Sequence, residues 1–177
     1  MEKKLRLEGD KVYLTPMNLD DAEDFVRWRN SDFVMSRFLV REPFTVEGQI
    51  NWIKNKVMTG EVVQFVVWDK DDNVKIGTTY LIGIDKENKK CEFGFFIGEE
   101  AYAGGGRGTE MARLTTEYAL EHMDMNKIYA KVLANNQASI RAAERAGFER
   151  EGLFKADIWI DGKPEDIVFL GKFAKVH

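Results

Sequence analysis

The chain has 177 residues, 26 Lys and Arg against 30 Asp and Glu, and a formal charge of −4, with 44% apolar residues and 21 aromatic rings. That suits one domain spanning 1–177 and excludes a disordered chain; no apolar run beyond the scale of Phe65-Val66-Val67-Trp68 could cross a membrane, and the charged start Met1-Glu2-Lys3-Lys4 lacks a signal's apolar stretch, so a cytoplasmic protein is expected. One cysteine (Cys91) and two histidines (His122, His177) exclude an internal disulfide, a Cys- or His-based metal site and a Ser-His-Asp triad, and the mildly acidic balance speaks against nucleic acid.

In chain order, Arg6 to Thr15 reads as one strand or a strand pair. Leu19 to Arg29 is a helix, with Ala22, Phe25, Val26 and Arg29 at helical spacing. Asn30 to Arg41 is irregular or helical, and Thr45 opens a second helix that ends near Gly60. Val62–Trp68 is a strand, the Asp69-Lys70-Asp71-Asp72-Asn73 run a turn, Val74 to Ile84 a second strand and Cys91 to Gly98 a third. The Asp69-x-Asp71-x-Asn73 cluster lacks the Gly and Glu of a calcium loop and reads as a hairpin turn. Gly108 to Met123 is the strongest helix. Lys127 to Leu133 is a strand, and Asn136 to Ala146 a short helix closed by Gly147. Strands from Phe148 to Ile160 and Ile167 to Phe173 follow, joined by the hairpin signal Asp161-Gly162. The order predicts an α+β domain on one mixed sheet.

Two motifs carry chemistry. Gly104-Gly105-Gly106-Arg107-Gly108-Thr109 lies between a strand and a helix. Glycine backbone can approach a ligand closely, and free N–H groups at a helix start attract anions. Arg107 adds a cation for a phosphate. The sequence is neither a Walker A loop, which ends in Gly-Lys-Ser or Gly-Lys-Thr, nor a Rossmann fingerprint, since Thr109 stands at the third glycine position. Some thirty residues on, Asn136-x-x-Ser139 is followed by Gly147-Phe148. Each has an ordinary reading as well: a flexible turn, and a helix cap.

Together these motifs resemble the GNAT superfamily of acyl-CoA-dependent N-acyltransferases, in the branch of the RimJ and RimL ribosomal-protein acetyltransferases and the spermidine acetyltransferases. The matching residues are Gly104-x-Gly106-x-Gly108-Thr109-Glu110, Asn136-x-x-Ser139, Gly147-Phe148, and Gly152 with Asp161-Gly162-Lys163 and Asp166. Leu14-Thr15-Pro16, Asp20-Asp21-Ala22 and Pro43-Phe44-Thr45 also fit, so the likeness runs from Gly9 to Phe173. It implies a central, mostly antiparallel twisted sheet of six or seven strands with about four helices. It also implies acetyl-CoA as cosubstrate without a metal, an amine acceptor, and a homodimer. Ala143 stands where many relatives carry a Tyr that protonates the leaving thiolate, and Ala103 where many carry Gln, Arg or Trp.

The resemblance assigns coenzyme contacts to Phe96, Ile97 and Gly98 on the strand before the loop. Further contacts fall on Gly104, Gly105, Gly106, Arg107, Gly108 and Thr109 in the loop, and on Asn136 and Ser139. Ser139 is also the candidate hydrogen bond to the coenzyme sulfur. Glu92, Gly94 and Phe96 share a strand face by two-residue alternation, which makes Glu92 the candidate base, facing either cleft or solvent. Glu110 is expected to serve the helix dipole, and Cys91 to be structural. Trp28, Phe33, Phe38, Trp52 and Trp159 are candidate pocket walls, with Asp32, Glu42, Asp157 and Asp166 as attractors for a cation. The acceptor stays open among a small amine, a protein N-terminus and a nucleotide-linked amino sugar. A non-catalytic acyl-CoA-binding module and a nucleotide-binding protein of another fold are the competing classes.

Overall fold

The computed structural model describes residues 5–175; the chain start Met1-Glu2-Lys3-Lys4 and His177 lie outside the described residues. The opening segment is a strand pair, β1 (Leu7–Glu8) against β2 (Val12–Pro16). A capping box between Asn18 and Asp21 starts a 3-10 turn that runs into α1 (Ala22–Arg29). α2 (Asp32–Met35) is a single turn capped by Ser31, and α3 (Val46–Trp52) is capped by Thr45, whose hydroxyl accepts from the Gly48 N–H at 3.1 Å. A wider five-residue helical segment, Ile53–Val57, prolongs α3.

β3 (Val63–Asp69), β4 (Lys75–Asp85) and β5 (Lys90–Ile97) form the meander, and α4 (Arg107–His122) follows the glycine loop. β6 (Lys127–Leu133), α5 (Gln137–Arg145), β7 (Glu149–Ile160) and β8 (Lys163–Phe173) complete the chain. Gly147 sits at φ +99° just past α5, and Asp161 and Gly162 both have positive φ in the final hairpin, as a two-residue type I′ turn demands. Among the described residues eight strands and five α-helices exceed the expected six or seven and about four. The additions include the two-residue β1 and the one-turn α2, which are too short to show a period.

The sheet order is β1-β2-β3-β4-β5-β6-β8-β7, antiparallel except where β5 meets β6. Period-two alternation assigns β5 to two layers. On one face Phe96 packs with Phe25, Trp28 and Ile53 under α1 to α3. On the other, Phe93 joins Ala112 of α4 and Ile140 of α5, and Met111 and Leu114 cover Leu14, Phe65 and Ile76. Each such side chain removed from water contributes roughly 1.5–3 kcal/mol. The parallel pairing of β5 and β6 runs only from Lys90↔Lys127 to Glu92↔Tyr129. Beyond it the strands part, and β6 continues on β8 alone to Leu133↔Ile167. That split opens the sheet beside the glycine loop.

Candidate active site

A cavity of about 970 Å³ occupies the split and reaches both layers. Its rim on the α4 side is the glycine loop, where Gly104, Gly105 and Gly106 hold φ of +84°, +64° and +83° in succession. Only glycine takes three such angles in a row without strain. Among the described residues no carbonyl or side chain accepts from the amides of Gly105, Gly106, Gly108 or Thr109. These groups, at the start of a sixteen-residue helix, are free for an anion. The Lys11 ammonium donates to the Gly105 carbonyl and adds positive charge beside the turn.

Arg107 stays beside the loop, its Nη1 close to Gly105, with one nitrogen tied to a neighbouring carboxylate. Its Nε donates to Asp69 Oδ2 at 2.7 Å, and the side chain leaves the cavity lining. Asp69, 1% exposed, also accepts from the N–H groups of Asp71 and Asp72 at 3.2 and 3.0 Å, so the Asp69–Asn73 turn is the hairpin expected and anchors the loop as well. Gly98 is held by the neighbouring strand and by α1. Its N–H is committed to the Ile76 carbonyl at 2.7 Å, and a Cβ there would overlap the Trp28 ring. Its glycine serves strand packing, and it lies outside the lining; Phe96 and Ile97 lie within it. Glu110 does more than meet a helix dipole: its buried carboxylate accepts from the N–H groups of Asp10, Lys11 and Val12 at 2.7, 2.8 and 2.7 Å, clamping the β1–β2 turn to α4.

Asn136 and Ser139 face the cavity from the start of α5, where the Asn136 side chain also accepts from the Ser139 N–H at 3.3 Å. Ala143 lies on the same wall, 1% exposed. Glu92 faces the cavity rather than solvent, its carboxylate 3.8 Å from the Lys131 ammonium. Cys91 is fully buried, and burial pushes its thiol up to about 12, which removes it as a nucleophile.

The opposite half of the cavity is walled by α1 to α3. Phe33, Phe38 and Trp52 line it as expected. Trp28 is instead core, its indole N–H donating to Glu99 at 2.7 Å, and Trp159 points outward on β7, 72% exposed. Asp32, Glu42, Asp157 and Asp166 are all absent from the lining; Asp166 accepts from the Ala156 N–H at 2.8 Å. Sequence reasoning missed Arg29, Gln64 and Tyr80. Gln64, Tyr80 and Gly94 form a row across β3, β4 and β5, and the bare Gly94 lets the Tyr80 ring lie over it. Burial, opposed by the nearby Arg29 and aided by Glu92, pushes the Tyr80 hydroxyl up to about 12, so it stays a proton-bearing donor at neutral pH.

The site is thus a split sheet with a turn of free amides on one side and an aromatic chamber on the other, opening into one cavity. Residues 11–149 match the model of the acetyltransferase (GNAT) domain. The probable N-acetyltransferase YjcK of Bacillus subtilis is 32% identical over 168 residues, 90% of this chain and 92% of that protein. The spermidine N(1)-acetyltransferase of Escherichia coli is 27% identical, covering 86% of this chain and 80% of that one. Among solved structures, the ribosomal-protein-S5-alanine acetyltransferase of Vibrio fischeri superposes with a TM-score of 0.85 at 21% identity, covering 97% of each chain. The spermidine N-acetyltransferase of Vibrio cholerae, in complex with CoA and spermine, gives 0.84 at 21% identity, covering 93% of this chain and 96% of that one. The chain belongs to the GNAT family and is an N-acetyltransferase.

Proposed function

We propose that this chain moves the acetyl group of acetyl-CoA to a primary amine, a small-molecule amine or a protein N-terminus, by direct attack in a ternary complex. The observation that carries this is continuity: the free amides of the glycine loop and the aromatic chamber open into one space through the gap between β5 and β6. The loop amides and the α4 dipole suit a pyrophosphate. The edge of Phe96 and Ile97 suits the amides of a pantetheine arm, with Asn136 and Ser139 facing it. The CoA-bound Vibrio cholerae relative supports the same donor.

The acceptor must lose a proton first, because a Lys-like amine has a pKa of ~10 and an α-amine ~8. Glu92 takes that proton, directly or through a water. The amine nitrogen then attacks the thioester carbon; the C–N bond forms, the C–S bond breaks, and the electron pair leaves on sulfur. A simple thiol has a pKa of ~8.5, so the thiolate needs little help from an acid. A hydrogen bond from Ser139 is enough, which fits the presence of Ala143 on that wall. The expected homodimer belongs to this proposal too, and the exposed Leu153, Phe154 and Trp159 on edge strand β7 support it.

Thiol release from acetyl-CoA against a panel of amines tests the reaction. Glu92→Gln should lower kcat by roughly 10²–10⁴-fold while leaving acetyl-CoA affinity in place. A wild-type chain that binds CoA and releases no thiol with any amine would make this a binding module. Light scattering decides the dimer.

A further inference from the structure

We propose that the acceptor half of this cavity is an oxyanion subsite: Arg29 receives a carboxylate or phosphate borne by the amine that is acetylated. The inference rests on the acetyl-transfer proposal and names the class of its acceptor. Arg29 ends α1, is 4% exposed and lines the cavity. Its Nη2 donates to the Val40 carbonyl at 3.1 Å. Its Nη1 is the one fully buried side-chain nitrogen or oxygen without a partner among the described residues. The guanidinium lies between the rings of Phe38 and Phe44, 4.0 and 4.4 Å from their centroids. Rings stabilise its charge but cannot accept the remaining hydrogen bonds. Among the described residues no carboxylate is paired with it.

A buried cation without an anion is costly, and proteins keep one where a ligand supplies the partner. A planar guanidinium between two rings has one rotational setting, which suits the paired oxygens of a carboxylate or phosphate. The Asn30 side chain fixes that setting, exchanging two 2.8 Å hydrogen bonds with the Phe44 backbone. The surroundings agree in sign. Arg29, Arg37, Lys131, Arg141 and Arg145 line the cavity, against the single carboxylate of Glu92. A polyamine would set several positive charges against this wall. An amine that carries an anion answers both poles, its nitrogen toward Glu92 and its oxygens toward Arg29.

Matched acceptors test this with the full chain and acetyl-CoA: an ω-amino carboxylate, an ω-aminoalkyl phosphate, the neutral amide of the first, and spermidine. The wild type should favour an anionic member over the amide by about tenfold or more in kcat/KM. The better of the carboxylate and phosphate arms identifies the source of the oxyanion. Arg29→Met should bring anion and amide to near parity, and Arg29→Lys, which keeps charge without the fork, should fall between. This ratio is read within one sample, so a misfolded fraction does not alter it. A wild type that prefers the amide or spermidine, or a preference that survives Arg29→Met, would overturn the proposal. A second readout needs no turnover: titrating propionate and methyl phosphate into CoA-loaded protein while following tryptophan fluorescence, since Trp52 lines the same chamber. Saturable quenching in the wild type and none in Arg29→Met supports the subsite; no quenching in either overturns it. Quenching that depends on Arg29 without thiol release from any amine would instead defeat the acetyl-transfer proposal, and with it the claim that the oxyanion is borne by an acetylated amine, while the Arg29 anion site itself would stand.

Discussion

Asp69 shows how one buried carboxylate can govern a distant loop. Its burial alone would raise its pKa, but the N–H groups of Asp72 and Asp71 and the Arg107 guanidinium outweigh this and hold it below the ordinary value of 3.8. A carboxyl depressed by folding contributes stability above its unfolded pKa and loses it as pH falls through the folded one. Asp69→Asn should therefore lower stability at neutral pH by about 1–3 kcal/mol, and the penalty should shrink below pH 3.8. Thermal melts of both proteins from pH 7 to pH 3 check the sign. Because Arg107 is freed as well, the KM for acetyl-CoA should rise. Residue-scale legibility was uneven. Two-residue alternation grouped Glu92 with Gly94 and Phe96, since a strand's period carries directly to its side chains, but left open whether that face met cleft or solvent; the structure turns Glu92 to the cavity. Helical spacing grouped Arg29 with the apolar Ala22, Phe25 and Val26, and an arginine on that stripe was itself a signal of burial. Its enclosing rings, Phe38 and Phe44, come from a stretch with no period, so the chamber could not be seen from spacing. The tie from Arg107 to Asp69 leaves no local mark, because the two residues lie 38 apart in the chain.

At the scale of elements, the glycine loop and the turn it rests on behave as one device. A Cβ at Gly104 meets nothing within 4 Å, yet φ is +84° there, so any penalty for a side chain is conformational rather than steric. Gly104→Ala should cost about 1–2 kcal/mol of loop order, raising the Kd for CoA by about five- to thirtyfold. Gly104→Asn should cost less, because asparagine tolerates the left-handed region. Calorimetric titration of CoA into the two variants checks the order, and equal losses would point to crowding instead. Glu110→Ala strands three N–H groups of the β1–β2 turn and should lower stability by about 3 kcal/mol or more, which chemical denaturation will show. The clamp escaped the sequence because a Glu in a first helical turn has a local explanation in the dipole. Elements with clear period and punctuation were legible almost to the residue: β6 spans the expected Lys127–Leu133, and Gly147 and Asp161-Gly162 close their elements as read. The bulge that interrupts β7 between Phe154 and Ile158 left no such mark.

For the molecule as a whole, the α+β class followed from the order of helical and strand periods, whereas the divergence of β5 and β6 did not. The two strands belong to segments separated by α4, and their pairing ends after three residues because packing, not local pattern, draws β6 toward β8. The two faces of the sheet divide the core: among the described residues one cluster lies beneath α1 to α3, two lie beneath α4 and α5, and a small fourth joins Leu133, Ile160 and Ile167. A ligand seated in the gap touches both layers, so its binding free energy adds to the stability of the whole fold rather than of one lobe. Acetyl-CoA at a hundred times its Kd should stabilise the protein by about 2.7 kcal/mol, an upward Tm shift of about 5–11 °C at this chain length. The shift should be cooperative, with a single transition retained. Scanning fluorimetry with CoA, acetyl-CoA, ATP and NAD at equal concentration discriminates among the classes the sequence left open. CoA and acetyl-CoA should raise Tm together, and ATP and NAD should not match them. A larger shift with NAD or ATP would mean that the turn at residues 104–109 grips a different nucleotide, and the acyl-donor assignment would fall with it.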